Sequence, residues 1–377
     1  MAAGFEISFI DTETARWLED APDDGLCLKK FRADFNVDNL RSFEEGGVVD
    51  IDGERYLITK KGKRCFSECD LLEKLGGPCP LATGVAFGEK EKRRKKMGEM
   101  KATVLVDNIK GCGLNGEWGL CVYIEYEDKV VLLDTGASDL FVTNAARLGL
   151  DLKKVDFGVL SHAHFDHADG MKAFFAANER APFYLQKAAG ENCYEKLWIF
   201  SKYIGIPRGI LEEDKDRIRF AEGKYQVCRG VWLLSHTTEG LEAIGKRNHM
   251  YLRGDVNEDG RGSKKWRPDD FSHEQSLVFE TEDGLVIFNS CSHGGADNII
   301  NEVKAAFPDK KIKAIIGGFH LYTRKAEEVR KLARSIKATG IQQVYTGHCT
   351  GGKAFDVLKE ELGDMVHQLS CGLVIEL

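Results

Sequence analysis

Long apolar runs and a signal-peptide pattern are missing from this sequence. No apolar run approaches the ~20 residues of a membrane span, and the N-terminus has no basic stretch followed by an apolar one. Basic residues are not in excess, since 60 acidic and 53 basic side chains give a net charge of −7. This charge disfavours nucleic acid as the main partner. We therefore expect a cytoplasmic protein without a membrane or nucleic-acid partner; the sequence indicates no oligomeric state.

A disulfide framework is missing as well. The 11 cysteines are odd in number and form no paired CxxC motifs, which is not the pattern of a secreted disulfide-rich fold. With 43% hydrophobic and 30% charged residues, the chain is typical of a soluble globular protein that buries a sizeable core.

A run of charged residues, GEKEKRRKKMGEM at 88–100, separates two differently patterned regions. No aromatic residue is interleaved with its basic side chains, so a solvated linker is favoured over a nucleic-acid site. We predict a small β-rich domain at 1–88, a linker at 89–100 and a larger domain at 101–377.

The larger region alternates strand and helix patterns. Two pairs of β-branched runs, at 120–136 and 276–293, are split by turn residues and predict hairpins. Between the hairpins, a helix is predicted at 137–148 and a buried strand at 155–162. The segments that follow the second hairpin are predicted as helix 296–307, strand 312–316, helix 326–337, strand 343–345 and helix 354–362. This order predicts an α/β fold of layered sheets covered by helices.

The stretch SHAHFDHADG, which follows an apolar strand, concentrates ligand-type residues on one loop. His162, His164, Asp166 and His167 lie within six positions, and imidazole and carboxylate are ligands of Zn²⁺, Fe²⁺ and Mn²⁺. In an extended run the first two histidines fall on the same side, whereas Asp166 and His167 lie past the bend and are free to serve a second ion. A lone histidine is usually a satisfied core or surface residue, but four ligand types at this spacing favour metal binding.

Four other histidines adjoin predicted strand ends, where they could complete such a site; they are His273, His293, His320 and His348. Cys291 is a candidate thiolate ligand, with a buried free thiol as the alternative. His236 and His249 lie in a less patterned segment and His367 lies beyond the last helix, so structural roles suit these three better.

Several motifs together resemble the metallo-β-lactamase superfamily. HAHFDH at 162–167 resembles its HxHxDH signature, and VVLLDTG at 130–136 and YTGHCTGG at 345–352 resemble the strand before it and the closing histidine motif. With VDN, SCSHGGADN and IGGFHL, the pattern is similar to the branch that includes dihydropterin-aminobenzene ribofuranosyl phosphate synthases and related metal-dependent hydrolases. The resemblance covers about 101–377 and implies a four-layer αβ/βα sandwich.

The resemblance also implies two divalent ions, Zn²⁺ first, with Fe²⁺ or Mn²⁺ as alternatives. The implied ligands are His162, His164 and His273 for the first ion, Asp166, His167 and His348 for the second, and His293 at the strand end where other members place a bridging group. Cys291 is the alternative to His293. Asp134 would orient ligands.

The implied reaction is metal-assisted hydrolysis, in which activated water attacks a carbonyl or phosphorus centre. Asp166 would orient the nucleophile and His320 would protonate the leaving group. A small phosphoester is preferred as substrate over a lactam. The alternatives are a synthase or transferase of pterin precursors and a non-catalytic carrier of metal or pterin. Redox chemistry ranks lower, because no flavin domain is visible.

Departures from the family pattern put the substrate in doubt. The metal loop continues Ala-Asp-Gly-Met at 168–171 where members commonly have Thr-Gly-Gly-Leu, and Trp118 stands where a histidine often follows the glutamate. The long segment 191–268 is expected to supply a pocket wall.

Residues 31–88 resemble the later part of a MOSC domain, a β-barrel module of molybdenum-cofactor sulfur chemistry. Cys65, Cys69 and Cys79 lie in this region. Metal or cluster binding by these thiols, a reactive or persulfide-carrying thiol, and a purely structural role all remain open.

Overall fold

The computed structural model describes residues 5–7, 35–37, 48–51, 54–62, 85–90, 98–254 and 265–377. The chain divides into two compact units, 1–95 and 96–377. The strands described in the first unit are β1 Phe5–Ile7, β2 Phe35–Val37, β3 Val48–Ile51, β4 Glu54–Gly62 and β5 Val85–Lys90. β1 pairs with β2, and β3, β4 and β5 form an antiparallel sheet. Cys65, Cys69 and Cys79 lie outside the described residues, so their roles and the MOSC resemblance stay predictions.

The second unit carries most of the described secondary structure. Its strands are β6 Met100–Val106, β7 Cys121–Tyr126, β8 Lys129–Leu133, β9 Phe157–Val159, β10 Phe183–Gln186, β11 Cys193–Leu197, β12 Phe200–Tyr203, β13 Ile218–Ala221, β14 Lys224–Cys228, β15 Val231–Ser235, β16 Met250–Arg253, β17 Trp266–Pro268, β18 Gln275–Thr281, β19 Gly284–Phe288, β20 Ile312–Gly317, β21 Gln343–Thr346, β22 Val366–Gln368 and β23 Val374–Glu376. Its α-helices are α1 Leu140–Arg147, α2 Phe165–Ala168, α3 Met171–Ala177, α4 Ile210–Glu213, α5 Glu242–Arg247, α6 Ala296–Ala306, α7 Ala326–Ala338 and α8 Gly352–Leu362.

Two seven-stranded sheets form the centre of this unit. The first has the order β13-β10-β9-β8-β7-β6-β23 and the second β14-β15-β18-β19-β20-β21-β22. A separate sheet of order β12-β11-β16-β17 is built from the segment predicted to wall the pocket. Among the described residues, no helix combines the length and the apolar character needed to cross a bilayer.

Alternating residues on the central strands explain the layers. Along β7, Cys121 and Tyr123 pack in one core, whereas Val122 and Ile124 pack in another, as expected when successive side chains point to opposite faces. The first core lies between the first sheet and helices α1 and α3, and the second lies between the two sheets. A third core joins the second sheet to α6, α7 and α8. The predicted four-layer α/β sandwich is confirmed.

Two predicted elements are shorter than expected near the metal loop. The helix predicted at 137–148 begins only at Leu140, because the Glu117 carboxylate accepts hydrogen bonds from the Ala137 amide and the Ser138 hydroxyl. The strand predicted at 155–162 spans only Phe157–Val159, and the Ser161 amide donates to Asp134 (2.7 Å) instead of to a neighbouring strand. These side-chain bonds free the loop after β9 from the sheet.

Candidate metal centre

The predicted site residues follow strands that end at one edge of the two sheets. Asp134 follows β8 and His162 follows β9, a parallel pair in the first sheet. His293, His320 and His348 follow β19, β20 and β21, which are parallel in the second sheet. Carboxyl ends of adjacent parallel strands meet at the same edge, so residues far apart in sequence come together here.

The backbone at this edge is unusual. Asp134, Ser292, His320 and His348 all have positive φ, between 45° and 55°. Left-handed backbone at a non-glycine residue costs about 1–3 kcal/mol and persists where surrounding contacts enforce it, often at functional sites. Four such residues beside one loop mark this edge as a candidate site.

Three buried histidines form the first donor group. The ligand-type atoms of His162, His164 and His293 lie within 4.8 Å of one another. Nε2 of His162, Nε2 of His164 and both ring nitrogens of His293 are buried and have no hydrogen-bond partner among the described residues. Phe271 stacks on the His293 ring at a centroid distance of 4.7 Å. Converging, unpartnered imidazole nitrogens are a donor set that fits a divalent metal ion.

The protonation states of these histidines suit ligation. Burial, followed by the charge of neighbouring imidazoles, holds the pKa of His162 and of His293 well below the usual range. Burial and His273 lower the pKa of His164 to about 3. All three rings are therefore neutral at physiological pH, as metal ligands must be.

A second donor group adjoins the first. His167 Nε2 lies 3.2 Å from His348 Nε2 and 3.3 Å from Cys291 Sγ. Asp166 Oδ2 is 3.7 Å from the ring nitrogen of His167 and 3.5 Å from that of His348. Burial opposes ionisation of Asp166, but His167 and His348 outweigh it and hold its pKa below the ordinary value. The structure thus brings together the residues predicted for a second ion and adds Cys291.

Polar side chains behind the second group orient its rings. Asp134 Oδ2 accepts a hydrogen bond from His167 Nδ1 (2.7 Å) and another from Ser161 Oγ. Asn108 Oδ1 lies 2.9 Å from His348 Nδ1. Because Nδ1 is engaged in both rings, Nε2 is left to face the centre, which is how ligand tautomers are commonly fixed.

His273 reaches the cluster but uses its ring differently from the prediction. Its Nδ1 accepts a hydrogen bond from the Ala163 amide (3.1 Å), and its Nε2 lies 3.1 Å from Asp269 Oδ2. Cys193, Asp269, His273 and His164 also have ligand-type atoms within 4.8 Å of one another. His273 therefore supports the metal loop from behind, and its ring nitrogens are already occupied.

His236 lies outside the cluster but is buried between two carboxylates. Its Nδ1 is 2.9 Å from Glu302 Oε2 and its Nε2 is 3.2 Å from Glu274 Oε2. Burial lowers its pKa, but Glu274 and Glu302 outweigh burial and raise it to about 10. Glu274 Oε1 accepts from the His293 amide at 3.2 Å, so this charged network holds the backbone of a first-group histidine.

A cavity of about 200 Å³ opens onto both donor groups. His320 lines it, with a buried Nδ1 that has no partner among the described residues. Trp118, which departs from the family pattern, packs at 5.4 Å from the His348 ring. Glu195 and Lys202, on β11 and β12, also line the cavity, as expected of the segment predicted to wall the pocket. His249 and His367 are exposed and line neither this cavity nor its neighbour.

Sequence reasoning missed several residues of this region. Asp269, Cys193 and Glu274 lie in no recognised motif, and only contacts with His273 and His293 reveal them. Cys349 Sγ lies 3.4 Å from Cys291 Sγ; its place directly after His348 in the closing motif was a signal that could have found it.

Comparisons with known proteins agree with this geometry. A family model of the metallo-beta-lactamase superfamily matches residues 119–348, more than half of the chain. The 7,8-dihydropterin-6-methyl-4-(beta-D-ribofuranosyl)-aminobenzene-5'-phosphate synthase of Methanocaldococcus jannaschii is 26% identical over 281 residues, which cover 68% of this chain and 89% of that protein.

An uncharacterised protein of the same organism is 26% identical over 259 residues, covering 68% of this chain and 93% of that protein. The solved structure of Tm1679, a metal-dependent hydrolase of the beta-lactamase superfamily, aligns with a TM-score of 0.62 and 29% identity, over 74% of this chain and 99% of that one. With the four-layer fold and the histidine-rich edge, these matches establish that the chain belongs to the metallo-beta-lactamase superfamily, whose members generally bind divalent metal ions.

Proposed function

We propose that this protein is a metal-dependent hydrolase that holds two divalent ions and acts on a small phosphoester or related metabolite. The observation that carries the proposal is the pair of adjoining donor groups facing one cavity, the first of which has ring nitrogens without a partner among the described residues. Zn²⁺ is the first candidate, because imidazole, carboxylate and thiolate are all its ligands, and Fe²⁺ and Mn²⁺ are the alternatives.

The two donor groups divide between the ions. His162, His164 and His293 would hold the first, and Asp166, His167 and His348 would hold the second, beside Cys291. Ions bound there act as Lewis acids and lower the pKa of water from ~16 to about 7. His273, which the family resemblance implies as a ligand, can bind an ion only by giving up its bonds to Ala163 and Asp269.

Three side chains are assigned roles toward the substrate. Asp166 is held ionised, so its carboxylate accepts a hydrogen bond from the attacking water and orients it. His320 presents a buried, unpartnered Nδ1 to the cavity, and we assign it proton donation to the leaving oxygen. Lys202, which is paired in register with Glu195 on the cavity wall, is assigned contact with a phosphate oxygen of the substrate.

A pterin-precursor synthase or transferase is the second candidate, supported by the synthase of M. jannaschii at 26% identity. A non-catalytic carrier of metal or pterin is the third. Similarity to a hydrolase of 29% identity supports the first candidate.

Cytoplasmic location and a small-molecule substrate without a nucleic-acid or membrane partner are further proposals, supported by charge and composition.

Metal analysis combined with turnover tests these candidates. We expect about two divalent ions per purified chain and hydrolysis of bis(para-nitrophenyl) phosphate that a chelator abolishes and added Zn²⁺ restores. Condensation of a dihydropterin pyrophosphate with an arylamine, without diester hydrolysis, would identify the synthase. Bound metal without either reaction would identify the carrier, and a chain that binds no metal would refute the proposal.

A further inference from the structure

A second cavity, of about 320 Å³, adjoins the cavity at the metal centre. Asn248, His293 and His320 line both cavities, so the two spaces adjoin at these three side chains. The hydrolytic chemistry proposed above makes no use of it. Unlike the cavity at the metal centre, it is lined by guanidinium groups.

Asn248 and Arg324 are held in a fixed relation on the shared wall. An Arg324 terminal nitrogen donates to Asn248 Oδ1 at 2.9 Å. Because a guanidinium has only donors, the amide oxygen must face Arg324 and the amide nitrogen must point away. Asn248 Nδ2 is buried and has no hydrogen-bond partner among the described residues. A buried amide N–H without an acceptor is costly, so this donor points to an oxygen-bearing ligand.

Positively charged side chains outnumber negatively charged ones around this cavity. Arg247, Arg324 and Lys331 line it together with Asp297 and Glu328. Arg324 forms no salt bridge within the described part of the chain, and the one between Arg247 and Glu328 is long, at 3.7 Å. Burial and then the charge of Arg247 lower the pKa of Arg324, as expected where two guanidinium groups lie close together.

We propose that this second cavity is an anion subsite that binds a terminal phosphate of the substrate while the scissile bond lies at the metal centre. The inference rests on the proposed function and names its substrate class, a phosphodiester that carries a phosphomonoester tail. Two guanidinium groups and an amide N–H match the several acceptor oxygens of a phosphate. Asn248 is shared by both cavities, so it places the tail next to the reacting end.

Paired substrates test the subsite in the metal-loaded protein. We would compare para-nitrophenyl phosphodiesters of 2-methoxyethanol, of ethylene glycol phosphate and of hydroxypropionate, which carry a neutral, a phosphate and a carboxylate tail and no free hydroxyl that could attack the diester. The phosphate tail should raise kcat/KM by about tenfold over the neutral tail, and Arg324→Gln should bring that ratio close to one. An equal gain from the carboxylate tail would overturn the assignment to phosphate.

Arg334→Gln is the matched control, since Arg334 pairs with Glu361 and does not line this cavity, so its loss should leave the ratio as in the wild type. Calorimetric binding of inorganic pyrophosphate gives a readout that needs no turnover: Arg324→Gln should weaken binding by about tenfold and Arg334→Gln should not. Equal binding by all three proteins would overturn the subsite. Failure to hydrolyse any of the diesters would instead count against the hydrolase, and the binding measurement would still decide the subsite.

Discussion

Two sets of buried histidines lie at or near the same sheet edge, and their ring nitrogens are used differently. In the first set, His162, His164 and His293 each keep at least one ring nitrogen without a partner among the described residues. In the second set, His236 lies between two carboxylates, and His273 is engaged by the Ala163 amide and by Asp269. Burial and position at strand ends do not separate the sets. The neighbours of each ring do, because two carboxylates hold His236 as a charged ring, and Nδ1 of His273 already shares its lone pair with an amide N–H.

Removing a member of the first set should have the largest effect. We expect His164→Ala to lose most bound metal and all activity while the fold stays intact, because the alanine adds no bulk to the loop. Elemental analysis, turnover and circular dichroism would measure these properties. His367→Ala, at an exposed histidine that lines neither cavity, is the control. Full metal content and turnover in His164→Ala would show that His164 is not a metal ligand and would refute the grouping of the first set.

Removing a member of the second set should reduce stability instead. His236→Ala leaves Glu274 and Glu302 buried without their shared cation, and loss of one partner of a buried ion pair costs about 3–5 kcal/mol. Urea unfolding of the metal-loaded protein would measure the change, with His367→Ala at an exposed ring as the control. An unchanged unfolding midpoint would show that the carboxylates do not need the His236 charge.

The orientation of ligand rings gives a smaller, graded effect. Asp134→Asn weakens the acceptor of the His167 Nδ1 bond, so we expect metal affinity to fall by about 10–100-fold. Competition with a chromogenic chelator would measure it. Asp139→Asn, a nearby exposed carboxylate, should leave affinity unchanged. Equal affinities in both variants would mean that Asp134 does not orient the ring.

His273 gives the sharpest test of the difference between the two histidine sets. Its substitution should have the smallest effect on the metal centre. If it only supports the metal loop, His273→Gln should keep the metal content of the wild type and lose about 1–3 kcal/mol of unfolding free energy. Metal analysis and urea unfolding of one sample would give both values. A loss of one ion per chain would place His273 in the first set, as the family resemblance implies.

Local sequence was sufficient for the metal loop and for the layers. His162, His164, Asp166 and His167 lie within six positions of the sequence. They are therefore close together in space whatever the rest of the fold does. The alternating residues of β7 likewise predict a strand covered on both faces. Helix and strand ends were less predictable, because side chains such as Glu117 compete for the backbone at these positions.

By itself, the sequence determined the layered α/β arrangement, the strand ends that carry ligand-type residues and the run of such residues at 162–167, since periodicity and short motifs are local properties. Only the tertiary structure decided which imidazoles keep a free nitrogen. The partner of His273 Nδ1 lies 110 positions away and that of His236 Nδ1 lies 66 positions away. Hydrogen bonds between such distant residues form only when the sheets pack, and they determine whether a buried histidine can bind a metal ion or instead supports the fold.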